Sequence, residues 1–237
     1  MVSARLLLVS SVCLVAFAAC AHSQQAGGYG KAEPSGFLKD YSKLKPAKDD
    51  TQASLVYLDP DKAKFKSYTK VWLEPVQVWR GEKSDAKDLD PEDAKHVSQY
   101  LSARLDEEFR KDYIMTQGPG PDVMRVRVGV TEAGKGIPVL DNITAIHPGS
   151  LVLSWGKKGL FGTESFVGKA SIEVEVTDSQ SGDVLAAAVD RRGGGKYAWK
   201  ALSRWEDFEA ASDYWAKKFR WRACTERGDA NCEMPKE

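Results

Sequence analysis

The sequence predicts an α+β fold: a single, mainly antiparallel β-sheet with two long α-helices packed on one face, after a signal peptide and a flexible tether. Three observations carry the prediction. In residues 166–192, Ala170, Ile172, Val174 and Val176 alternate with Ser171, Glu173, Glu175 and Thr177. That period of two sets apolar side chains on one face of a strand and polar ones on the other. Residues 178–183 form a turn cluster with Gly182 free to take positive φ, and Leu185, Ala187 and Val189 resume the alternation on a return strand. The result is a hairpin with one core face, its Glu173 and Glu175 turned to solvent. The second observation is the clean alternation of Met124, Val126, Val128 and Val130 with Arg125 and Arg127. The third is a pair of helical stripes: Ala94, Val97, Leu101, Leu105 and Phe109, and later Trp205, Phe208, Trp215 and Phe219 with the stem of Arg222.

The chain begins with an export signal. Residues 1–19 hold Arg5 followed by an apolar run and small residues, too short to span a bilayer comfortably. Phe17-Ala18-Ala19-Cys20 resembles the bacterial lipobox, with Phe17 in place of the usual Leu. That resemblance implies that Cys20 is cleaved free and acylated, and two or three acyl chains would hold the domain firmly at a membrane. Cleavage after Ala18, at Ala16-Phe17-Ala18, is the alternative, with Cys20 incidental. Ala21 stands where an Asp would favour retention in the inner membrane, so the resemblance implies a lipid anchor in the bacterial outer membrane, facing the periplasm.

Residues 20–50 read as the lipidated Cys20 and a tether, small and polar at its start. Within it Phe37, Leu38, Tyr41 and Leu44 have helical spacing. They suit a short segment stapled onto the domain, or else an exposed recognition segment. A single domain follows over 51–224. Residues 68–79 form a strand in which Pro75 cannot donate to a ladder, and the parity shift to Val76 and Val78 marks a bulge. Asp90-Pro91-Glu92-Asp93 starts the first long helix, with Asp90 as cap and Pro91 in the first turn. Residues 134–155 read as a long connection with one extra strand. The last helix covers about 204–222. Cys224 and Cys232 lie in a C-terminal tail, 225–237 with its junction, and an oxidising periplasm would join them as a disulfide; two free thiols are the alternative.

Several stretches together resemble the bacterial lipoprotein family known as domain of unknown function 3313. They are SGFLKDYSKLKP (35–46), VYLDP (56–60), YTKVWLEPVQVW (68–79), GPGPDVMRVRVGVTEA (118–133), ASIEVEVTDSQSGDVLAAAVDRR (170–192) and RWEDFEAASDYWAKKFR (204–220). The resemblance implies an anchored envelope protein without an assigned activity.

Charge and motifs narrow the function classes. Lys+Arg and Asp+Glu both number 34, which leaves no global field to attract nucleic acid. His22, His96 and His147 show no metal-ligand spacing, and there is no G-x-S-x-G elbow. Gly193-Gly194-Gly195-Lys196 is followed by Tyr197 and lacks the spacing of a phosphate loop. The expectation is a non-enzymatic protein with no metal and no cofactor: an interaction or scaffold module in the envelope. Binding of peptidoglycan or a small ligand is the alternative, and an envelope hydrolase a weaker one. Partners would be the membrane, through the lipid anchor, and an envelope protein or peptidoglycan. Arg191, Arg192, Lys196, Tyr197 and Trp199, at the open end of the hairpin, form a candidate partner-binding patch, because interfaces favour Arg and aromatic anchors.

Replacing Cys20 by Ala tests the anchor. The variant is expected to move from the membrane fraction to the soluble periplasmic fraction in an immunoblot of fractionated cells. Recovery of the parent, with Cys20 intact, in the soluble periplasmic fraction would refute acyl anchoring.

Overall fold

The computed structural model describes residues 24–25, 34–47, 53–134, 169–193 and 205–236. Along the chain these form β1 (Gln24–Gln25), β2 (Lys45–Pro46), β3 (Leu55–Leu58), α1 (Lys62–Phe65), β4 (Lys70–Leu73) and β5 (Gln77–Val78). There follow α2 (Pro91–Phe109), β6 (Ile114–Met115), β7 (Val123–Ala133), β8 (Lys169–Asp178), β9 (Val184–Gly193) and α3 (Glu206–Arg227). The strands make one sheet in the order β2-β3-β9-β8-β7-β4-β6, with β1 on β9 and β5 on β7.

The sheet is mainly antiparallel, as expected, but not purely so: one side of it is parallel. From β7 through β8, β9 and β3 to β2 the pairing is antiparallel. Strands β4 and β5 join β7 in parallel, and β6 joins β4 in parallel. A parallel pair needs a crossover, and α2 supplies it between β4 and β6. The two long helices are α2 and α3, and the short α1 is a third.

The apolar stripes meet where the sequence places them. Val97, Leu101 and Leu105 on α2 and Trp215 on α3 are fully buried, against Val126, Val128 and Val130 of β7 and Ile172 of β8. Asp90 caps α2 by accepting the Asp93 N–H at 2.9 Å, and Pro91 opens it. Helix α3 runs past the expected end at 222, through Cys224, and stops where Gly228 takes a left-handed φ of 86°. The boundary drawn at 224 therefore falls inside a helix. Cys224 and Cys232 are joined, with Cα atoms 5.7 Å apart, and tie the tail to the last turn.

The β8–β9 hairpin forms, and its turn is held by Asp178, whose Oδ1 accepts the N–H groups of Gln180 and Ser181 at 2.9 and 2.7 Å. One detail differs from the period-two reading. Val176 pairs with Ala186 and Thr177 with Val184, so Leu185 is an extra residue in a bulge. Leu185 therefore enters the helix-side core, while Ala187 and Val189 lie on the opposite face of the sheet. The bulge expected at Pro75 is present: Leu73 pairs with Val126 and Gln77 with Gly129, four residues against three. Residues 134–155 fall almost wholly outside the described residues.

Candidate functional site

Both faces of the sheet are covered, and this decides which surfaces are open. The helix side is covered by α2 and α3. The other side is covered by residues 34–47, as the reading of a segment stapled onto the domain expects. Phe37 and Leu38 are each 3% exposed in a second apolar cluster with Ala187 and Val189. Gly129 makes room for this segment, since a Cβ there would lie 2.5 Å from the Phe37 ring. Trp79 meets Phe37 edge-on at 5.6 Å and donates its Nε1–H to the Ser35 carbonyl at 3.1 Å.

Glu173 fixes the segment. It is fully buried, which corrects its placement in solvent. Its two oxygens accept the Ser35 N–H at 2.7 Å, the Leu38 N–H at 3.2 Å and the Tyr41 hydroxyl at 2.5 Å. Glu175 is also drawn in: it receives Arg127 at 2.9 Å, and Arg127 lies 5.1 Å from the Phe37 ring. The alternation rightly put these residues on the polar face. What alternation cannot show is that a segment beginning 138 positions earlier covers that face.

An opening lies on the helix side, between the outer strands and the C-terminal half of α3. It is a cleft of about 490 Å³. Its floor is Val174 and Val176 of β8 with Ala186 and Ala188 of β9, and its roof is Phe219 and Ala223 of α3. The cause is local. Three alanines, at 186, 187 and 188, follow the bulge, and two of them stand under α3 where branched residues would fill the gap. Apolar walls with a few converging polar groups are the common make-up of small-molecule sites.

Four charged side chains line the same cleft: Asp190, Lys218, Arg222 and Glu226. Asp190 is 2% exposed; it accepts the Trp215 Nε1–H at 2.8 Å and the Ser54 N–H at 3.2 Å. Lys218 is 6% exposed, with its ammonium 5.1 Å from the Tyr214 ring. Arg222 reaches Glu226 one turn on at 3.5 Å. The cleft thus offers hydrocarbon-lined space with both signs of charge along one wall. In such a space the apolar walls supply affinity, and the few charged groups fix which end of a ligand lies where.

The sequence-predicted site residues are distributed differently. Arg191 forks onto Glu132 at 2.7 and 2.8 Å. Arg192 is 1% exposed, with its guanidinium 3.6 Å from the Tyr214 ring. Both arginines are thereby engaged inside the fold, and Arg192 is not a surface residue. Lys196, Tyr197 and Trp199 lie outside the described residues, as do Cys20, His22 and His147. His96 contacts Glu209 at 3.1 Å and stacks 5.4 Å from Trp205. Among the described residues there is no group of three or more His, Cys, Asp or Glu placed to hold a metal ion, and no helix is long and apolar enough to cross a membrane.

The family model for DUF3313, described as a protein of unknown function, matches residues 33–219. The chain belongs to the DUF3313 family. The match starts at the segment that Glu173 holds and takes in the floor of the cleft and its roof as far as Phe219, while Arg222, Ala223 and Glu226 lie just beyond it. No curated protein matches the sequence. Among solved structures, the chain is similar to the PelC dodecamer from Paraburkholderia phytofirmans at 14% identity and a TM-score of 0.33, over 61% of this chain and 86% of that one. It is also similar to a protein from Caulobacter crescentus CB15 provisionally described as a lipoprotein, at 13% identity and a TM-score of 0.34, over 71% and 99%. A third likeness is to the hypothetical protein CT253 from Chlamydia trachomatis, at 12% identity and a TM-score of 0.34, over 68% and 97%. At this distance the likenesses carry no function to the DUF3313 chain.

Two outcomes follow from the Glu173 contact. Glu173→Gln puts an amide donor among three donors and leaves a buried N–H unmatched, so it is expected to lower unfolding free energy by about 2 kcal/mol in urea melts. An unchanged midpoint would show that the segment is held by Phe37 and Leu38 alone. The Tyr41 hydroxyl is pushed up to about 12, by burial first and then by Glu173. A raised phenol favours the folded state below its free value near 10 and loses that benefit as pH climbs from about 10 to 12. Tyr100 and Tyr113 are pushed up to about 12 as well, chiefly by burial. Stability should fall across that window, and less steeply in Tyr41→Phe; identical slopes would remove Tyr41 from the account.

Proposed function

We propose that this chain is a bacterial envelope lipoprotein, held by acylated Cys20 at the outer membrane and facing the periplasm, whose domain is a non-catalytic binding module. The cleft between β8–β9 and α3 is its binding site. The ligand class it fits is an amphipathic molecule: a hydrocarbon portion over Val174, Val176, Ala186 and Ala188, and a polar end at Lys218 and Arg222.

The observation that carries this reading is the cleft itself, about 490 Å³ and mostly apolar, in a domain whose other sheet face is closed. A cavity of that size lies in the range of small-ligand sites. Cys20 and the lipobox-like residues before it support the anchoring half of the reading. The hairpin-end patch supports partner docking less well, because Arg191 and Arg192 are committed to Glu132 and Tyr214.

The test uses the mature chain made soluble by Cys20→Ala, titrated with a dansyl-labelled fatty acid. Saturable binding with a blue-shifted emission is expected. Ala188→Phe in the floor and Ala223→Phe in the roof should each weaken it by at least about tenfold, 1.4 kcal/mol, in variants that keep the parent's cooperative melt. Absence of saturable binding, or affinity in both filled variants equal to the parent's, would overturn the assignment of the cleft.

A further inference from the structure

The first strand fixes how the domain can sit on a membrane. Gln24 pairs with Gly193 and Gln25 with Arg192, at the end of β9. Gly193 pairs in turn with Lys169, at the start of β8. Gly134, just after β7, donates its N–H to the Lys169 carbonyl at 2.7 Å. One pole of the sheet therefore gathers β1 and the ends of β7, β8 and β9. The β8–β9 turn, with Ser181 exposed on it, lies at the opposite pole. The ten residues of β8 separate the two poles by about 33 Å.

The distance from Cys20 to this pole is bounded by the chain. Three residues lie between Cys20 and Gln24, and the four Cα-to-Cα steps, fully extended, reach at most about 14 Å. That is less than half the length of the sheet. An acyl group on Cys20 can enter a bilayer only if the pole that holds β1 lies beside the headgroups. The long tether that residues 20–50 suggest is thus cut short by the pairing of its fourth and fifth residues after Cys20 with the sheet.

We infer that the pole formed by β1, Gly134, Lys169 and Gly193 is a membrane-facing surface, docked against the lipid bilayer that carries the Cys20 anchor, with the β8–β9 turn pointing away. The inference rests on the anchored-lipoprotein reading proposed above. It carries a consequence for the cleft. Val174 and Val176 lie five and seven residues along β8 from Lys169, so the cleft stands about 20 Å above that pole. Its ligand would be exchanged on the aqueous side of the headgroup layer, not drawn directly from the acyl chains.

The orientation is tested with the full acylated protein, purified from membranes and reconstituted into phosphatidylcholine vesicles doped with a nitroxide-headgroup lipid. A single fluorophore is placed by Lys169→Cys or by Ser181→Cys; Cys224 and Cys232 are tied up in their disulfide. Both positions are at least partly exposed. Quenching several-fold stronger at 169 than at 181 is the expected result. Equal quenching at both positions, or stronger quenching at 181, in protein that floats with the vesicles would overturn the orientation and leave the anchor standing. Protein that fails to float would instead sink the lipoprotein reading, and the orientation with it.

Discussion

A buried carboxylate organises this domain. Glu173 sits in the middle of β8 on the face away from the helices, and it is fully buried. Transferring such a group out of water costs several kcal/mol. The cost is offset only because the segment that buries it also supplies two backbone N–H groups and a phenol hydroxyl. The same segment sets Phe37 and Leu38 on the sheet, each contributing roughly 1.5–3 kcal/mol through burial. Neither half works without the other. Glu173 would be a misplaced charge if the segment left, and the segment would have no polar anchor if Glu173 were apolar.

That closure shapes what the protein can bind. A two-layer α+β domain ordinarily leaves one sheet face to solvent, and that face is where a partner strand or ligand would first be sought. Here the face carries an inward-facing polar network: Glu173 with the segment, and Arg127 between Glu175 and the Phe37 ring. The open cleft is on the helix side, where the small side chains of Ala186 and Ala188 leave a gap beneath α3. The bulge at Leu185 matters as well. It sends Leu185 into the core and so determines which alanines line the gap and which meet Phe37 and Leu38.

The disulfide and the tail belong to the same wall. Cys224 lies one residue beyond Ala223, in the last turns of α3, and Gly228 ends the helix in a left-handed turn that brings Cys232 back. Glu226, which lines the cleft, is part of that bridged turn. The roof of the cleft is therefore held at its free end by a covalent tie, and at its other end by Trp215 and Phe208 in the core.

The sequence by itself determined the hairpin, the strand at 124–130, both long helices with their buried stripes, the cap at Asp90, the bulge at Pro75 and the partnership of Cys224 with Cys232. Each is a local pattern, legible because periodicity, capping and turn chemistry act over a few residues. The sequence also placed Glu173 and Glu175 on the polar face, and it marked 35–46 as a segment with its own apolar spacing. Only the tertiary structure decided that those two features meet, that β4, β5 and β6 join in parallel, that Arg192 is buried, and that a cleft opens over Ala186 and Ala188. These are contacts at long range, 25 positions apart for Asp190 and Trp215 and 138 for Ser35 and Glu173. No period in the sequence encodes them, because what a side chain faces across a sheet is set by which segment the rest of the chain brings to it.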